Sequence, residues 1–109
     1  MKLYHVTTID RSEQITENGI DPKFAQGLQK ASWFVEESHI EWAIIHTSKR
    51  HKCPTDFLCI FTLDMNIGIG ELSTMGFRRW KAGRWMRFLV TNDCEVITVD
   101  EYMLRKDFK

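Results

Sequence analysis

The chain of 109 residues has few cysteines, no net charge and no long apolar run. Its three cysteines are odd in number and form no Cys-x-x-Cys pair, which favours reduced thiols in a cytoplasmic protein over a disulfide framework. No apolar run approaches the roughly 18 residues of a membrane span, and the first residues do not resemble a secretory leader, so no membrane contact is expected. Fifteen basic and fifteen acidic residues cancel, so overall charge identifies no partner.

Repeats, low-complexity tracts and linkers rich in Pro, Gly or Ser are also absent from the sequence. We therefore expect a single domain over residues 1–109, with the 43% hydrophobic and 28% charged composition of a globular protein. A metal site is not expected. The spacing of His46, His51 and Cys53 fits no usual zinc pattern.

Apolar periodicity predicts an α+β domain with the order β-α-β-α-β-loop-β-β. The predicted strands are 2–6, 31–35, 56–64, 84–90 and 94–99, the predicted helices are about 11–18 and 38–50, and the predicted loops are 19–30 and 66–77. The segment 100–108 fits either a helix or a strand. Capping boxes are predicted at Asp10–Glu13 and Ser38–Glu41, and Gly19 is expected to end the first helix.

His5 and the pair Trp33-Phe34 are the first candidates for a binding site. His5 is either a strand histidine that bonds a neighbouring backbone group or, with the hydroxyl of Thr7, a pair of polar groups suited to sugar hydroxyls. Adjacent strand residues point to opposite faces, so one aromatic of the pair joins the core and the other can stack on a ligand ring.

The segments "LYHVTT", "ENGIDP", "SKRH" and "FTLDM" together resemble the ADP-ribosyltransferase superfamily. Within it, they are most similar to the catalytic lobe of RNA 2′-phosphotransferases and to DNA-modifying ADP-ribosyltransferase toxins. The likeness runs from about Lys2 to His51 and continues more loosely beyond. The resemblance implies a split, bent β-sandwich with two short helices, which holds NAD in a cleft between its halves.

The resemblance also implies roles for individual residues. His5, with Thr7, would bond the ribose of the nicotinamide half of NAD. Trp33, next to Phe34, matches the aromatic position that stacks on the nicotinamide ring. Arg50, followed by His51, matches a basic pair that meets phosphate, although cations at a helix C-terminus also suit the helix dipole.

The third motif of the family, a glutamate in a late strand, has two possible alignments. One places Arg87 at that position, and a cation there could not stabilise positive charge on the ribose. The other places Glu95 there as the catalytic carboxylate, with Glu71 and Glu101 as more distant choices. The two alignments leave open whether the chain is an active transferase.

The stretch "RRWKAGRWMR" (78–87) holds five basic residues and two tryptophans, and it is predicted to be a loop that leads into the strand 84–90. Arginines bind phosphates while indoles stack on bases, so this loop is a candidate surface for a polyanionic or acidic target. The candidate target-binding residues are Arg78, Arg79, Trp80, Arg84, Trp85 and Arg87. The alternative is a solvated loop whose tryptophans cover a small core.

The expected function is a small NAD-dependent ADP-ribosyltransferase that resembles toxins or phage-encoded modifiers of a host nucleic acid or protein. The alternative is a catalytically silent module of the same fold that binds a nucleotide, a nucleic acid or a protein. A third possibility, transfer of a 2′-phosphate from RNA to NAD, is supported by Arg50 and His51. It is weakened because the sequence shows no N-terminal lobe of the kind that such enzymes carry.

Overall fold

The computed structural model describes residues 1–25 and 29–107, so the predicted loop 19–30 and the predicted segment 100–108 lie partly outside the described residues. The strands are β1 (Lys2–Thr8), β2 (Ser32–Val35), β3 (Leu58–Asp64), β4 (Phe77–Lys81), β5 (Arg84–Arg87) and β6 (Glu95–Thr98). The α-helices are α1 (Ser12–Asn18), α2 (Ile40–His51) and α3 (Val99–Asp107). The α+β class expected from the sequence is confirmed.

The six strands form one antiparallel sheet in the order β4-β5-β2-β1-β3-β6. β1 pairs with β3 along its whole length, from Lys2 opposite Asp64 to Thr8 opposite Leu58. β1 and β2, both fully described, share one register pair, Tyr4 opposite Val35. The sheet therefore consists of two three-stranded halves that meet at a short central junction.

Strand alternation divides the core between the two faces of this sheet. Leu3 and Phe34 belong to the core cluster on one face, against which Ile15 of α1 packs. Tyr4 and Val35 belong to the cluster on the other face. That cluster also contains the apolar residues of α2 and the first residue of α3, namely Ile40, Ala43, Ile44 and Val99. Each fully buried large apolar side chain contributes about 1.5–3 kcal/mol to folding.

The first part of the basic stretch, residues 78–81, is not a loop, as the sequence predicted, but belongs to β4, which forms a β-hairpin with β5. Gly83 makes the turn possible because its φ of +75° is strained for any residue with a Cβ atom. β5 ends at Arg87 instead of continuing to residue 90. The chain leaves the ladder there, and Thr91 exchanges two backbone hydrogen bonds with Ile20.

The two predicted capping boxes are wrong. A 3₁₀ turn precedes each helix, Ile9–Arg11 before α1 and Glu37–His39 before α2, and neither helix has a side-chain cap at its first residue. The turns continue into the helices, so the backbone enters each helix already coiled and a flanking side chain is not needed as a cap. The predicted role of Gly19 holds, since it follows α1 with φ +82° and donates its N–H to the Ile15 carbonyl.

The segment 100–108, for which the sequence allowed a helix or a strand, is helical as far as it is described. The three cysteines are free thiols, and burial raises the pKa of Cys59 to about 11. In residues 1–25 and 29–107, every helix is too short or too polar to cross a membrane.

Candidate functional site

A cavity of about 660 Å³ opens where β1 and β2 separate. Its walls come from β1 and β2, from α1 and the segment after it, from α2, and from the β4–β5 hairpin. This volume lies in the range of pockets that hold small molecules and cofactors, about 300–1,000 Å³. The cavity draws side chains from both faces of the sheet because the junction between the two halves is so short.

His5 closes part of the gap between β1 and β2 with its side chain. Its Nδ1 lies 2.7 Å from the Trp33 carbonyl oxygen, which can only accept, so Nδ1 carries the proton. Burial lowers the pKa of His5, and the nearby Arg11 lowers it further against the opposing effect of the Trp33 carbonyl. The ring is therefore neutral at physiological pH, and Nε2 is left as a hydrogen-bond acceptor.

The aromatic pair of β2 divides between the core and the cavity. Phe34 is 0% exposed and packs edge-on against Phe77, with ring centroids 5.4 Å apart, so it supports the cavity wall without offering surface to a ligand. Trp33 is half-buried on the wall and meets Trp80 edge-on at 5.8 Å. Thr7 lines the cavity and is buried.

The α2 wall carries Trp42, which the sequence analysis did not single out, and His46, which the sequence analysis weighed only as a metal ligand. Their rings stack at 4.9 Å, which is the contact expected of positions i and i+4 on a helix. The Arg84 guanidinium lies 4.6 Å from the centre of the Trp42 ring. Its Nε is buried and has no hydrogen-bond partner in the described part of the chain. The i, i+4 spacing of Trp42 and His46 is visible in the sequence and predicts that they share a helix face. It does not predict that this face lines a cavity.

A cationic group of residues lines the cavity at the end of α2. Arg50 and His51 come from the last turn of the helix, and Arg11 comes from the 3₁₀ turn after β1. Burial lowers the pKa of His51, and the positive charges of Arg11 and Arg50 lower it further. Arg11 carries no local signal in the sequence, because its proximity to α2 is a tertiary contact.

The structure does not bring Glu95 to the cavity. Glu95 is exposed on β6, which lies at the outer edge of the sheet beyond β3. Glu71 and Glu101 are also outside the cavity lining. Among residues 1–25 and 29–107, the carboxylate that lines the cavity is that of Asp21, which accepts a hydrogen bond from the Lys23 backbone N–H at 3.0 Å.

Arg87, the other candidate for the third motif, is half-buried and has structural contacts. Its Nε donates to the Met75 carbonyl at 3.1 Å, and its Nη1 donates to Thr91 Oγ1 at 2.9 Å. The guanidinium also lies 4.8 Å from the centre of the Phe77 ring. These contacts occupy Arg87 inside the fold, so it has little left to offer a target.

The remaining predicted target-binding residues separate into different environments. Arg78, Arg79 and Trp80 are exposed on β4, and Arg84 lies at the cavity. Trp85 is 6% exposed and donates Nε1–H to Glu36 Oε2 at 2.9 Å, so it is a core residue. The difference follows from the hairpin, because alternation along β5 sends Trp85 to the face of Phe34.

In the described ranges, no three His, Cys, Asp or Glu side chains are grouped so that they could hold a metal ion. Comparisons with protein families, with characterised proteins and with solved structures find no significant match to this chain.

Proposed function

We propose that this chain is a small ADP-ribosyltransferase-like protein that binds NAD in the cavity between β1 and β2 and transfers ADP-ribose to a macromolecular target. The observation that carries the proposal is that one cavity collects His5, Thr7, Trp33 and Arg50 from separate parts of the sequence. Two half-sheets that meet at one register pair also support the split sandwich that the resemblance implies. Toxins and phage-encoded modifiers of host components are the proteins that such a small transferase would resemble.

In this proposal the nicotinamide ring stacks on Trp33, whose half-buried indole faces the cavity. A ribose hydroxyl donates to His5 Nε2, because the hydrogen bond to the Trp33 carbonyl fixes the proton on Nδ1. The diphosphate lies towards Arg11 and Arg50, neither of which belongs to a described ion pair, and Asp10 is the nearby carboxylate that opposes their effect on the pKa of His51.

Transfer breaks the bond between nicotinamide and ribose, and nicotinamide departs with the bonding electrons. A nucleophile of the target then bonds to the ribose carbon and loses its proton to water. A carboxylate beside the ribose stabilises the positive charge that develops in this step. Asp21 is our choice for this carboxylate, since it lines the cavity whereas Glu95 lies at the sheet edge.

The second candidate function is a catalytically silent module that binds a nucleotide, a nucleic acid or a protein. The observation in its favour is that Asp21 is already engaged. It caps the turn at Lys23 and lies 3.7 Å from the Lys23 ammonium group. A carboxylate with this partner stabilises a developing cation less than a free one does.

NAD binding is measured first, by isothermal titration calorimetry of the wild type and of His5→Ala and Trp33→Ala. Loss of one hydrogen bond should weaken binding about two- to tenfold, and loss of the stacking indole about tenfold or more. Phe57→Ala is the matched aromatic control, because Phe57 is exposed and outside the cavity lining. A wild type that does not bind NAD would overturn the proposal.

Transfer is measured next, by mass spectrometry of a cell lysate incubated with the protein and isotope-labelled NAD. Asp21→Asn should lower turnover about a hundredfold or more with NAD binding retained, while Glu95→Gln should leave turnover near that of wild type. The opposite ranking would assign the carboxylate to Glu95. NAD binding without modification of any lysate component would establish the silent module.

A further inference from the structure

The outer strand β4 exposes four consecutive residues, Arg78, Arg79, Trp80 and Lys81. Three of them are cations in a chain whose formal net charge is zero, so positive charge is concentrated at this sheet edge. The ion pairs of the described chain involve Lys23, Arg105 and Lys106 and none of the β4 cations. The edge therefore presents unpaired positive charge to the solvent.

Trp80 connects this edge to the cavity. Its indole is 48% exposed, yet it packs edge-on against Trp33 and lines the cavity mouth. Arg78 pairs with Met86, and Met86 pairs with Trp33, so Arg78 and Trp33 lie in one row across three strands.

Arg79 pairs with Trp85, so its side chain lies on the face of Phe34, the opposite face of the sheet. Lys81 pairs with Arg84, and Arg84 pairs with Val35, so Lys81 lies on the face of Trp33. Arg78, Lys81 and the exposed indole thus form a continuous surface from the outer edge to the cavity.

Charged residues on an edge strand commonly prevent that edge from pairing with other sheets. Arg78, Arg79 and Lys81 would be sufficient for that purpose. An indole with nearly half of its surface in water works against it, because exposed aromatic surface promotes association. Trp80 therefore needs an explanation other than edge protection, and a flat partner ring supplies one.

We propose that β4 binds a single-stranded nucleic acid, with a base stacked on Trp80 and backbone phosphates bound by Arg78 and Lys81. Cations that follow the backbone beside an aromatic stacking surface are the usual elements of single-strand binding. A duplex fits this surface less well, because the faces of its bases are covered by the neighbouring bases. An acidic peptide fits it less well, because it has no base to stack on Trp80. The single strand would be the target of the proposed ADP-ribose transfer, and its role as a target rests on the proposed function.

Binding is tested without NAD, by fluorescence anisotropy with a labelled oligothymidine of twelve nucleotides, the same sequence as a duplex, and polyglutamate. The single strand should bind most tightly, and two phosphate contacts should give a plot of log affinity against log salt with a slope of about −1.4. Trp80→Ala should weaken binding about tenfold, the effect of losing one base stack. The double variant Arg78→Ala/Lys81→Ala should make the slope shallower by about 1.4.

The matched control is Arg105→Ala/Lys106→Ala, which removes the same charge from α3, a helix that contacts β3 and β6 on the other half of the sheet. This control should bind the oligonucleotide as the wild type does. Absence of binding at 50 mM salt, equal affinity for the duplex, tighter binding of polyglutamate, or an unaffected Trp80→Ala variant would each overturn the inference. Because NAD is absent, loss of NAD binding in the earlier titration removes the proposed transfer but leaves this surface standing.

Discussion

The turn of the β4–β5 hairpin is packed so closely that a single methyl group at Gly83 should destabilise the protein. A Cβ atom at Gly83 would lie 2.1 Å from His39 Nδ1 and 2.4 Å from His39 Cε1, so the imidazole would have to move. Moving it breaks the hydrogen bond between Nδ1 and Ser38 Oγ, which is 2.9 Å long. The φ of +75° at Gly83 adds about 1–2 kcal/mol for any L residue with a Cβ.

The expected loss for Gly83→Ala is therefore about 2–3 kcal/mol in the free energy of unfolding, with the backbone term and the displaced ring contributing similar amounts. Urea unfolding followed by circular dichroism measures it. His39→Ala alone should cost about 0.5 kcal/mol, because the lost hydrogen bond is exposed. In the double variant the ring clash disappears, so about 1 kcal/mol should be recovered relative to additivity. Strict additivity, or a loss below about 0.5 kcal/mol for Gly83→Ala, would refute this reasoning.

Two other predictions concern His5 and Arg87. The pKa of His5 is lower in the folded state than in the unfolded chain, so the unfolded chain binds the proton first as the pH falls. The contribution of neutral His5 to the free energy of unfolding is therefore complete above about pH 6.5 and declines below that value. Urea midpoints at pH 7.5 and 5.5 should show this decline, and His5→Asn should reduce it; an unchanged decline would contradict the buried, neutral imidazole. Arg87→Ala should cost about 2–3 kcal/mol of stability through its two lost hydrogen bonds and its contact with Phe77, yet change oligonucleotide affinity less than about twofold. A large loss of affinity in a stable Arg87→Ala variant would return Arg87 to the target-binding surface.

Much of the fold was predictable from local patterns. β3 was predicted from its continuous apolar run, and α2 was predicted from apolar residues spaced three and four positions apart. β4 was missed, because four of its five residues are exposed and an exposed edge strand has no apolar alternation to detect. The capping boxes failed because a 3₁₀ turn before the helix satisfies the same backbone groups, and the sequence gives no sign of which solution the chain adopts.

The candidate site was predictable in part, and the limit has a physical cause. His5 and Trp33 carried recognisable chemistry, and both line the cavity because the sheet order places β2 beside β1. Arg11, Asp21 and Trp42 were not singled out, because each reaches the cavity through contacts between segments distant in the sequence. Strand order is a tertiary property, so the neighbours that it creates have no local signal.

Arg87, which one alignment of the third motif places where the family has a glutamate, is connected to the segment before Asp21 by hydrogen bonds. Arg87 Nη1 donates to the hydroxyl of Thr91, which is 1% exposed, and the Thr91 backbone exchanges hydrogen bonds of 2.8 and 2.9 Å with Ile20. A Cβ atom at Gly19 would lie 2.8 Å from the Thr91 carbonyl oxygen, so only glycine allows the two segments to approach this closely. Asp21 follows directly and lines the cavity. The cation on β5 therefore stabilises, through Thr91 and Ile20, the segment that places Asp21 on the cavity wall.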